Sequence, residues 1–88
     1  MKAILTVVGQ EKPGIVAHVS TFLADRNINI LDISQTIMDD TFTMMMQVQL
    51  NENDDLQDLI TQLRALGKKI GVDINLRNEE LYRAMQQL

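Results

Sequence analysis

The residues best suited to chemistry are Gly9-Gln10-Glu11-Lys12-Pro13-Gly14-Ile15-Val16, a turn that joins an apolar β-like run to an amphipathic helix. Proline fixes φ ahead of the bend, and glycine accepts a backbone shape that a Cβ would forbid. The helix that follows begins with unsatisfied N–H donors and the positive end of its dipole. Such a start can receive a carboxylate or a phosphate. Every strand-to-helix connection uses residues of this kind, so a turn without any ligand is the competing reading.

Other candidates carry less. His18 lies on the flank of the first helix's apolar stripe with no neighbouring Ser or Cys nucleophile to activate. The acidic run Asn51-Glu52-Asn53-Asp54-Asp55 lacks the alternating oxygen ligands and closing glutamate of a calcium loop, and reads as helix capping. Methionines 44 and 46 fall on alternate positions of a strand, as core residues do, whereas Met45 falls on the polar face, where an assembly contact could cover it. No cofactor and no metal are called for.

The chain has 88 residues, a formal net charge of −4, one His and no Cys. This length predicts one small domain spanning 1–88, stabilised by a single core or completed by a partner. Without cysteine there is no disulfide framework, no thiolate metal site and no thiol nucleophile. The N-terminus lacks the regions of a signal peptide, and no apolar run approaches the ~20 residues that cross a bilayer. A cytoplasmic location is expected. The acidic balance and scattered basic residues argue against direct contact with nucleic acid or an anionic membrane; Lys68 and Lys69 suit the C-terminal end of a helix dipole.

These residues must be positioned by a small set of elements. Lys2 to Val8 is short, β-branched and apolar on both faces, which predicts a central strand. Ile15, Val16, Val19, Phe22 and Leu23 recur at helical spacing, with Ala17, Thr21 and Ala24 opposite. A second strand occupies Ile28 to Met38, with a bulge expected near Ile30-Leu31, where the alternation slips. Asp39-Asp40-Thr41 turns into a third strand with Phe42, Met44, Met46, Val48 and Leu50 on one face.

Leu56, Leu59, Ile60, Leu63 and Leu66 form the stripe of a second helix, which Gly67 is expected to end. Val72, Ile74 and Leu76 alternate in a fourth strand. Asn78 can cap a terminal helix with Glu79 and Glu80 in its first turn and Leu81, Tyr82, Met85 and Leu88 along one side. The order predicts an α+β, ferredoxin-like βαββαβ plait: a four-stranded antiparallel sheet, two helices on one face, and a short C-terminal helix that needs a surface to lie on.

That fold hosts many functions, so sites must choose among them. A metal-ferrying domain would carry a Cys-x-x-Cys pair, and an RNA-recognition module would show exposed aromatics on its central strands; neither is present. An acylphosphatase-like hydrolase would place an Arg in the first loop, where this chain has only Lys12, a charge without the bidentate fork.

The segments G-Q-E-K-P-G-I-V-A and R-N-I-N-I-L-D-I resemble the opening half of an ACT domain. The stretch from Asp32 to Met46 resembles the small stand-alone bacterial ACT proteins, kin to the ACT halves of the glycine cleavage system transcriptional repressor. The resemblance implies a regulatory, non-catalytic module that binds an amino acid and pairs with a second copy through strand two, with the C-terminal helix as a further contact. It implies a ligand held between one copy's first loop and its neighbour's second strand. On that pattern Glu11 stands where Asp or Asn is usual, Pro13 and Gly14 form the loop, and Asn29 opens strand two. The N–H groups of Gly14 and Ile15 would take the ligand's carboxylate, while Glu11 and the Asn29 amide oxygen would take its ammonium. A pure dimerisation module without ligand is the alternative.

Overall fold

A computed structural model of the chain describes residues 1–86, with side chains through Met85. The elements run β1 (Lys2–Gln10), α1 (Ile15–Asp25), β2 (Asn29–Met38), β3 (Thr41–Gln49), α2 (Leu56–Ile70), β4 (Val72–Asn78) and α3 (Glu79–Gln86). The four strands form one sheet in the order β2-β3-β1-β4, with every neighbouring pair antiparallel. This is the ferredoxin-like plait that the sequence predicts.

The core follows the strand alternation. Ala3, Leu5 and Val7 of β1, Phe42, Met44, Met46 and Val48 of β3, and Val72, Ile74 and Leu76 of β4 point to one side. There they meet Ile15, Val19 and Leu23 of α1 and Leu59 and Leu63 of α2. Each such side chain is worth about 1.5–3 kcal/mol of burial, so this two-layer contact supplies the main driving force for folding. Arg26 fastens the end of α1 to α2: its guanidinium lies 3.5 Å from the Phe22 ring centroid and donates to Gln62 Oε1 at 2.7 and 3.1 Å.

The apolar character of β1 on both faces has a structural cause. Ile4 faces away from α1 and α2 yet is buried, because α3 lies across β1 and β4 on that other side of the sheet. Asn78 Oδ1 caps α3 by accepting from the N–H groups of Glu80 (2.8 Å) and Leu81 (3.4 Å). Gln47 Nε2 of β3 donates to Glu79 Oε1 at 2.5 Å, and Arg83 pairs with the same oxygen at 3.1 Å. The tail helix thus rests on its own sheet. Leu88, expected on its apolar side, lies outside the described residues.

The expected irregularity in β2 is present: the register with β3 shifts between Ile30 and Asp32, leaving Leu31 as the extra residue of a bulge. Several boundaries differ from the expectation: β1 runs past Val8 to Gln10, so Gly9 and Gln10 pair with β3 instead of turning, and β2 opens at Asn29 instead of Ile28. Gly67 does not end α2, which continues one further turn to Ile70 and stops at Gly71, whose φ of 82° is left-handed. Gly67 is buried inside the helix because β4 passes so close that a side chain would collide with it. Lys68 and Lys69 sit in that last turn, as the dipole favours.

Candidate functional site

The loop after β1 is held at both ends. The Glu11 N–H donates to the Asp40 carbonyl at 2.7 Å, tying the loop to the β2–β3 turn, where Asp39 takes a positive φ of 56°. Gly14 then forms the N-cap of α1 with φ 89°, and its carbonyl accepts from the His18 N–H at 2.9 Å. A glycine in this position brings no capping oxygen. Among the described residues no side chain caps α1, and no acidic residue stands in its first turn, so the N–H groups that open the helix keep their donor capacity. The start of α2 is built differently, with Asp55 Oδ1 accepting from Gln57 and Asp58 at 3.0 and 3.4 Å.

Beside this start lies Glu11. Its Oε2 is buried and makes no hydrogen bond among the described residues. A buried carboxylate oxygen of that kind is costly and stands ready for a donor. Lys12 does not supply it, since its ammonium packs over Gly71 at the C-terminal end of α2, where the helix dipole is negative. His18 is exposed, and its Cδ2 is 3.5 Å from where a Cβ on Gly14 would be. The imidazole therefore borders the loop. The signal was its position four residues after Gly14, one helical turn above it.

Glu11, Pro13, Gly14 and Ile15 are brought together at one end of the sheet. Asn29 is not. Gln10 pairs with Thr41, whereas Asn29 pairs with Gln49, which pairs in turn with Lys2 at the opposite end. From Asn29 to Met38 the strand runs nine steps of about 3.3 Å, roughly 30 Å. No small ligand spans that distance within one copy.

The edge of the sheet at β2 is open. Nine of its ten residues are exposed, Ile30 excepted. Ile33 and Ile37 pair with Met46 and Phe42, whose side chains are buried under the helices. Ile33 and Ile37 therefore lie on the helix side of the sheet, and both are exposed. The backbone groups along this edge and the two isoleucines together form a surface that a further strand can complete.

No helix among the described residues is long and apolar enough to cross a membrane.

Known proteins match this geometry. The sequence profile of the ACT domain matches residues 2–77. A UPF0237 protein of Listeria innocua is 45% identical over 89 residues, spanning 100% of both chains. The structure of an ACT domain protein from Streptococcus pneumoniae superposes with a TM-score of 0.85 at 45% identity, covering 93% of each chain. A putative glycine cleavage system transcriptional repressor shares the fold, with a TM-score of 0.77 at 22% identity over 86% of this chain and 44% of its own. With its plait, its Pro-Gly helix start and these relatives, the chain belongs to the ACT-domain family, among the small UPF0237 proteins.

Proposed function

We propose that this protein is a non-catalytic regulatory module that binds an amino acid and works as a cytoplasmic homodimer joined through β2. The observation that carries the reading is the pairing of an uncapped helix start with Glu11 Oε2, which is buried and has no hydrogen-bond partner among the described residues. The first favours a carboxylate and the second an ammonium, so one α-amino acid complements both. Family membership supports the regulatory role, because the ACT domain is a regulatory domain.

Asn29 enters through the partner. In a two-fold pairing of β2 with β2, the strands run antiparallel, so the partner's strand start lies beside this copy's Met38 end. That is the end where Glu11 and Gly14 stand. The separation of Asn29 from the loop within one copy thus agrees with a site completed between two copies.

A thermal-shift screen of the amino acids tests the proposal. A ligand at one hundred times its Kd raises stability by about 2.7 kcal/mol, an easily measured change. One amino acid should stabilise the wild type, and Asn29→Ala and Glu11→Ala should lose the shift while remaining folded. A flat screen with an intact dimer would assign the protein to pure self-association instead.

A further inference from the structure

A second concave surface lies on the face of the sheet opposite α1 and α2. There α3 crosses β1 and β4 and reaches β3 at Gln47, but leaves Thr43, Met45 and Val8 exposed, and a groove of about 440 Å³ remains beside it. Val8, Met45 and Met85 line it, exposed by 45, 41 and 51%. Three large apolar side chains that remain in water thus converge on one hollow. Its volume lies in the range of small-molecule sites.

The polar part of the lining has one sign. Arg77 contributes a guanidinium, Thr43 a hydroxyl and Asn75 an amide, and among the described residues no Asp or Glu lines the groove itself, the nearest on this face being Asp73 opposite Val8. Among the described residues the only partner of the Arg77 guanidinium is Met85 Sδ at 3.0 Å, a weak acceptor for a group with five donors. It forms no ion pair with any described residue. An apolar floor with a single cation held at its edge complements a molecule that is apolar at one end and anionic at the other.

We propose that this groove is a binding site for a small monocarboxylate with an apolar body, its carboxylate on Arg77 and its body against Val8, Met45 and Met85. A planar carboxylate can engage the guanidinium with two parallel hydrogen bonds, which a thioether cannot. The two sites stand independently.

The test uses the full chain with ¹³C-methyl-labelled methionine, titrated with 4-methylpentanoate and with neutral 4-methylpentanamide. The Met45 and Met85 methyl resonances should shift saturably with the carboxylate, while those of Met1 and Met46 and the Gly14 and Ile15 amides stay in place. The amide should bind about tenfold more weakly, charge-assisted hydrogen bonds being roughly twice as strong as neutral ones. Arg77→Gln should reduce the carboxylate to the affinity of the amide, and Met45→Glu, at an exposed position, should abolish its binding. Equal affinities for the two probes, unaltered binding to Arg77→Gln, or no saturation up to roughly 10 mM, weaker than ordinary small-ligand affinity, would each overturn the proposal. So would Met45 and Met85 shifts that depend on protein concentration without any probe, which would give the face to a second copy.

Discussion

Gly67 of α2 and Val72 of β4 approach so closely that a Cβ on Gly67 would lie 2.5 Å from the Val72 carbonyl oxygen. The obstacle is backbone, paired in the sheet and unable to step aside. Gly67→Ala therefore sets two effects against each other. Alanine gains about 1 kcal/mol of helix propensity over glycine, while forcing α2 away from β4 costs about 1–3 kcal/mol. The clash wins, and urea unfolding should show a net loss of stability; a variant as stable as the wild type would contradict this packing.

At Gly14 the cost has a different origin. A Cβ there meets only the His18 ring at 3.5 Å, an ordinary contact, but φ is 89°. Gly14→Ala should lose about 1–2 kcal/mol through the left-handed backbone alone. Gly14→Asn should lose less, because asparagine tolerates that region. Equal losses for the two variants in chemical denaturation would count against a purely conformational cost.

The Gln47 hydrogen bond, followed by that from Arg83, holds the Glu79 carboxyl below its ordinary value of 4.5. A depressed carboxyl stabilises the fold above its unfolded pKa and loses that contribution as pH falls through the folded value. The difference in melting temperature between wild type and Glu79→Gln should thus be present at neutral pH and shrink below pH 4.5. Because Glu79 anchors α3, the protection of the Leu81 to Met85 amides, taken relative to the unfolded chain at the same pH, should fall over the same interval. A constant difference across that range would remove Glu79 from the anchoring of α3.

The open β2 edge predicts self-association. Replacing Ile33 and Ile37 together by lysine places two charges on the helix side of the edge strand, where a paired strand would bury them. Sedimentation velocity should find the wild type dimeric and the double variant monomeric, with the fold of each retained, since both positions are exposed. A wild type that sediments as a monomer at micromolar concentration would leave Asn29 without a route to the loop.

Much of this architecture was legible in the chain because alternation and helical spacing report which side chains leave water, and those patterns are local. The core of β3, the bulge at Leu31 and the Asn78 cap could be read this way. The end of α2 could not. Gly67 looks like a stop signal in one dimension, and only the passage of β4 beside it turns the missing side chain into a packing requirement.

The candidate site divides along the same line. The sequence by itself determined the plait and a Pro-Gly helix start with donors to offer, because residue spacing and backbone preference suffice for both. Only the tertiary structure decided that Lys12 turns away to the end of α2, that Glu11 keeps a buried oxygen without a partner among the described residues, and that Asn29 stands at the far end of the sheet. It also decided that α3 covers Ile4 and leaves a groove beside Arg77. The physical reason is that strand direction and strand order bring together or keep apart residues whose separation along the chain says nothing of their distance in space.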